Sequence, residues 1–303
     1  MSDVMLEEFL SLPRIKTQEL GAGKSGQSLC FIIDQNRQQN TLARLYNLGQ
    51  PLEQDNLYRT TEFAAMAGQG PIWVSAPETT ELKALAAQLC LEKNAGIALL
   101  TNDLEAARAH ARWLLKVNDG SGGQSLLSYY RPALWAALAM TSSQNLARLM
   151  GPWTSVFSPA PSHFGRSDGQ WVAWHTEQQP TPIPVETNFK LPAETARLQR
   201  QLGWVYWVDE HHSAFGSPSQ EQLPGIADNL STLVAHRITQ GRHLLRLSKI
   251  VAGPPLNQGP QSMAILESKD SPFKKVEQLE LLGVEPVNSV ANVKDEWSHH
   301  GTW

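Results

Sequence analysis

The sequence predicts an α/β fold: an N-terminal α/β lobe with a mixed sheet and a hairpin, then an α-helical C-terminal lobe and an extended tail. Three observations predict it. Short apolar runs alternate with helical repeats between about residues 28 and 180. A turn-rich stretch, "NDGSGG", separates two short β segments inside that region. From about residue 190 the apolar spacing turns helical. These signals divide the chain into a flexible segment 1–27, an α/β domain 28–180, a helical lobe 181–253 and a tail 254–303.

The first segment ends in "GAGKSGQS" (21–28), which looks like the end of a phosphate-binding loop. Such a loop reads G-x-x-x-x-G-K-[ST] and opens a helix, whose first N–H groups and dipole hold the phosphates. Here Gln18 stands where the first glycine belongs, and "SLCFIID" follows as a strand. The order is loop then strand, so the stretch reads as a tether with a solvated Lys24. A nucleotide-binding enzyme using the Gly/Lys/Ser loop at 21–26 is the alternative from another functional class.

"LCFIID" (29–34) is a buried strand with a polar end, and 38–48 is helical, with Leu42, Leu45 and Tyr46 in step. "GPIWVSA" is the second strand and ends at Pro77; "ETTELKALAAQLCLEK" is a helix with Leu82, Leu85, Ala86, Leu89 and Cys90 on one face. "AGIALLT" (95–101) is the third strand. Asn102 and Glu105 form a capping box for a helix running to about Lys116. The hairpin around "NDGSGG" follows, then a helix opened by Pro132 and a break at "LMGPW" (149–153).

Two long helices make up the C-terminal lobe. In the first, Leu198, Leu202 and Val205 share a face while Trp204 and Trp207 point away from it. In the second, "GIADNLSTLVAHRITQGRHLLRLSKIV", Leu230, Val234, Ile238 and Leu245 line one face and Arg242, His243, Arg246 and Lys249 the other. That basic face is either solvated or a dock for an acidic partner surface. Asp209 and Arg237 project onto the apolar faces of the two helices, which predicts an ion pair between them.

Composition narrows the function. The net charge of −4, from 25 basic and 29 acidic residues, gives no electrostatic footprint for nucleic acid. Two cysteines, Cys30 and Cys90, make neither a disulfide framework nor a zinc site. The N-terminus has no basic n-region, and no apolar run approaches the ~20 residues of a membrane span. These features place the protein in the cytoplasm, away from membranes. "DEHH" (209–212) is the densest ligand cluster, but adjacent His211 and His212 point to different faces of a helix. No catalytic constellation and no cofactor motif emerges, and the 10 tryptophans suit a surface that grips another protein.

The order "FIIDQN", "GPIWV", "AGIALLT", "HARWLLKVNDGSGGQSLLSYYRPALWAAL", "LMGPW" and "GQWVAW" resembles one family. It is similar to the type VI secretion effector chaperones or adaptors, the Tap or Tec proteins, catalogued as domain of unknown function 4123. The resemblance covers roughly residues 28–175. Where that family has an "R-F-Y-D-P" run, this chain has Ser128 for the arginine and Arg131 for the aspartate, and keeps Tyr130 and Pro132. Trp73 stands where an aliphatic residue is usual. The resemblance implies a non-enzymatic, cofactor-free cytoplasmic adaptor of a Gram-negative bacterium. Its partners would be a toxic effector and the VgrG spike that the effector is loaded on. Trp204, Trp207, Arg242 and Arg246 are the residues expected to touch a partner, with core packing the alternative for both tryptophans.

Overall fold

The computed structural model describes residues 2–22, 26–76, 80–118, 123–165, 168–176 and 188–284. The chain opens with helix α1 (Ser2–Ser11) and the short strand β1 (Arg14–Ile15). Strand β2 (Ser28–Ile33), helix α2 (Thr41–Tyr46), strands β3 (Glu53–Asn56) and β4 (Ile72–Ala76), helix α3 (Thr80–Leu91) and strand β5 (Gly96–Thr101) follow. Next come α4 (Leu104–Trp113), the hairpin β6 (Lys116–Asn118) and β7 (Gln124–Leu126), α5 (Pro132–Thr141) and α6 (Leu146–Met150). Strands β8 (Trp153–Pro159), β9 (Trp171–His175) and β10 (Phe189–Lys190) complete the β structure. The helices α7 (Thr195–Glu210), α8 (Leu223–Ala235), α9 (Gly241–Arg246), α10 (Ser248–Val251), α11 (Pro260–Glu267) and α12 (Pro272–Val284) end it.

Seven strands form one sheet in the order β1-β9-β8-β5-β2-β4-β3. Every pairing in it is antiparallel, which corrects the mixed sheet expected for this lobe. Among the described residues the one parallel pairing, β10 with β6, lies in a second three-stranded sheet with β7. The central strands alternate between two cores. Leu29, Phe31 and Ile33 face α3, with Leu82, Ala86 and Leu89. Cys30 and Ile32 face the other way, toward α1, α4, α5 and α7. Both faces are covered, so the strands read as unbroken apolar runs although the sheet is antiparallel. The edge strand β3 carries charge instead. Arg108 of α4 pairs with Glu53 at 2.5 Å, and Arg112, one turn on, pairs with Asp55.

Four expectations are corrected here. The segment 1–27 holds α1, and Leu6, Phe9 and Leu10 are buried under the sheet. Burial of such side chains contributes roughly 1.5–3 kcal/mol each, which fixes a helix that an interrupted apolar pattern hides. The tail 254–303 carries α11 and α12 as far as Val284, packed through Leu266, Val276 and Leu279. The Lys275 ammonium is buried and donates to the Leu266 carbonyl at 2.6 Å, tying the two helices together. The helix after β5 is capped by Asp103, which accepts from the Ala106 N–H, and not by Asn102.

The second long helix is broken as well. α8 stops at Ala235, and Arg237 takes φ +70°. The Ile238 N–H reaches the Leu233 carbonyl and the Arg237 N–H reaches that of Val234, both at 3.0 Å. This is a Schellman end with arginine in the place where glycine is usual, sealed by the buried Ile238. The hairpin is as expected, with Lys116 opposite Leu126, while its turn 119–122 lies outside the described residues. The two lobes share one core: Trp135 of α5, Trp153 of β8 and Leu198, Leu202 and Val205 of α7 belong to the same apolar cluster.

Candidate functional site

Several of the sequence landmarks meet at one corner of the sheet. Asp34 directly follows β2, and its side chain is fully buried. One of its oxygens accepts the Asn36 N–H at 2.9 Å, and the other accepts Arg131 Nε at 2.9 Å. Arg131 precedes Pro132, so the pair joins the first strand to the start of α5 across 97 positions of sequence. The Arg131 side chain is 44% exposed, so it covers a buried carboxylate on one side and meets solvent on the other.

Tyrosines support that corner. Tyr130 OH lies 3.5 Å from both Tyr58 OH and Ser128 Oγ, and Tyr129 OH donates to the Ala111 carbonyl at 2.8 Å. Burial pushes the phenols of Tyr129 and Tyr130 far above their ordinary range, so both stay neutral donors. Gly70 backs the site: a Cβ there would stand 2.7 Å from the Tyr58 ring. Gln35 Nε2 donates to the Gly70 carbonyl at 2.7 Å and fixes the turn after β2.

The ion pair expected between Asp209 and Arg237 is absent. Arg237 is exposed at its left-handed helix end, outside the helical geometry that the pairing assumed. Asp209 is buried and receives four hydrogen bonds from the loop after β8: Ser162 N at 2.9 Å, Ser162 Oγ at 3.0 Å, His163 N at 2.7 Å and His163 Nδ1 at 3.1 Å. Tyr206, one turn earlier, donates to the Pro159 carbonyl at 2.5 Å. Together they clamp α7 to the sheet. Nothing in the sequence spacing marked Ser162 and His163 as the partners of Asp209.

The four residues expected at a partner surface all have partners within the chain. Trp204 donates to Ser231 Oγ of α8 at 3.0 Å and meets Trp207 edge-on at 5.8 Å. Trp207 meets Phe215 edge-on at 5.6 Å. Both tryptophans are half-buried against the common core. Arg246 holds Glu280 of α12 with two bonds, at 2.9 and 2.6 Å, and its guanidinium lies 5.6 Å from the centre of the Phe273 ring. On the basic face, Arg246 thus meets an acid of one of the chain's own helices. Arg242 is exposed and donates to Gln240 at 2.9 Å. His243, expected on that solvated face, is buried, because the chain turns after α8.

Among the described residues no three His, Cys, Asp or Glu side chains converge as a metal ion requires. His211 and His212 turn inward to backbone carbonyls of α7, those of Trp207 and Asp209. Both cysteines are free and buried; burial pushes the Cys30 thiol up to about 12 and Cys90 higher still, which keeps them as unreactive thiols. Gly23, Lys24 and Ser25 lie outside the described residues, as do His299 and His300. Gly26 and Gln27 lead directly into β2 and not into a helix. No helix among the described residues is long and apolar enough to cross a membrane.

Residues 30–149 match a family described as Domain of unknown function (DUF4123). The match starts in β2 and ends in α6, so it contains Asp34, Tyr130, Arg131 and Pro132. No curated protein and no solved structure matches the chain.

Proposed function

We propose that this protein is a non-enzymatic adaptor: a cytoplasmic chaperone that binds a type VI secretion effector and helps load it onto the VgrG spike. The observation that carries the reading is the match of residues 30–149 to the DUF4123 family. It coincides with the order of landmarks that resembles the Tap and Tec adaptors. The corner built by Asp34 and Arg131 supports it, because it offers a held, half-exposed arginine, a residue type that often dominates protein–protein contacts. The effector and the spike are the proposed partners.

The test is genetic and biochemical. The effector encoded beside this gene is expressed with and without the protein, and its solubility and its association with VgrG are measured. The reading predicts that both fall sharply without the protein. An effector equally soluble and equally spike-associated in its absence would overturn the reading.

A further inference from the structure

Among the described residues the large sheet has two edges, and they differ. β1 is two residues long, whereas β3 runs over four and pairs with β4 alone. The Leu57 N–H donates to the Pro71 carbonyl at 3.1 Å and continues the β3–β4 ladder. Bonds alternate along an antiparallel pair, so Glu53 and Asp55 turn their backbone groups inward to β4. The N–H and C=O of Gln54 and the N–H of Asn56 therefore point away from the sheet. An edge with outward main-chain groups is a template for another strand.

The side chains of β3 decide which strand fits. Gln54 faces α2, where its Nε2 donates to Tyr46 OH at 3.3 Å. The Tyr46 residue is 56% exposed, so a side chain placed opposite Gln54 meets an aromatic surface. Glu53 and Asp55 face α4 instead. Arg108 there serves three carboxylates, Glu53 at 2.5 Å, Glu105 at 3.3 Å and Asp55 at 4.0 Å, and Arg112 adds a bond to Asp55. Three acids share two arginines, and the Glu53 side chain stays 54% exposed, so this face of the edge suits a cation on the neighbouring strand. A second copy of this chain is the wrong occupant, because two β3 edges side by side would set Glu53 and Asp55 against their own kind.

We propose that β3 is a docking edge, to which an extended segment of a partner protein with alternating basic and apolar residues adds as a further strand. Its main chain bonds to Gln54 and Asn56. Its apolar side chains lie on the Tyr46 side, and its basic ones lie beside Glu53 and Asp55. That the segment belongs to a partner rests on the adaptor reading; the strand chemistry rests on the edge alone.

Two arms test it on the full chain. In the first, a fluorescent, end-capped heptapeptide of alternating lysine and valine is titrated by anisotropy against the wild type, Gln54→Pro and Glu53→Gln. Proline at position 54 removes an outward N–H and leaves the ladder to β4 intact. The expected losses are about tenfold for Gln54→Pro and about threefold for Glu53→Gln, and a glutamate–valine heptapeptide should bind the wild type about tenfold more weakly. Thermal melts confirm that each variant folds. Amide exchange on the wild type needs no variant: saturating lysine–valine peptide should slow the Gln54 and Asn56 amides about tenfold. No binding of that peptide, equal binding to wild type and folded Gln54→Pro, or unchanged exchange at Gln54 would overturn the proposal. In the second arm, the neighbouring effector and VgrG are tested with the wild type and Gln54→Pro. Wild-type binding that Gln54→Pro keeps in full overturns the docking edge and leaves the adaptor reading standing. Wild-type binding to neither overturns the adaptor reading, and the peptide arm then decides the strand chemistry by itself.

Discussion

Two arginine–carboxylate pairs in this molecule have similar lengths and different roles. Arg131 meets Asp34 at 2.9 Å, and Arg246 meets Glu280 at 2.6 Å. Asp34 is wholly buried beneath Arg131, whereas both members of the second pair are about one-third exposed. The first pair joins the end of a central strand to the start of a helix, and the second lies over a helix already held by Val276 and Leu279. Distance alone therefore says little. What a pair contributes depends on what is left stranded when one partner goes.

The largest effect expected from that contrast is at Asp209, which also has a buried carboxylate. Asp209→Ala leaves two backbone N–H groups and two side chains of the 162–163 loop without their acceptor. It should cost about 4 kcal/mol in urea unfolding, and a loss under about 1 kcal/mol would break the comparison. Arg131→Ala comes next, at about 3 kcal/mol, because it strands a buried Asp34. Arg131→Lys should restore part of that loss.

A third effect follows from pH. Burial pushes the His110 imidazole from 6.5 down to about 4. Its Nε2–H donates to the Leu149 carbonyl at 2.8 Å, and the ring stacks on Trp113. The native state keeps this ring neutral while the unfolded chain protonates, so stability is full above pH 6.5 and falls as pH drops toward 4. The loss should reach about 3 kcal/mol across that window, and His110→Gln should flatten it. The smallest effect belongs to the surface pair. Arg246→Ala should leave the unfolding midpoint within error, and less still at high salt. A large shift there would mean that α12 depends on its charge and not on its apolar face.

The sequence made some of this visible and hid the rest for physical reasons. Strands β2, β4 and β5 were legible because burial on both faces makes them continuous apolar runs. Strand β3 was not, since "EQDN" is an edge whose charges pair with Arg108 and Arg112 of a distant helix. The end of α8 was hidden because the apolar spacing runs through Arg237 to the buried Ile238, with no glycine or proline to mark the turn. That one hidden turn undid both the expected Asp209–Arg237 pair and the exposed placing of His243. At the candidate corner, Asp34 and Arg131 were each visible as features of a motif, but their contact spans 97 positions and no local pattern encodes it.

The central claim, that this chain carries an effector to the spike, is most directly tested by reconstitution from purified parts. VgrG is immobilised, and retention of the neighbouring effector is measured with and without this protein. The account predicts that the effector is retained only when the protein is present, in a dose-dependent manner. Equal retention in both conditions, or none in either, would contradict it.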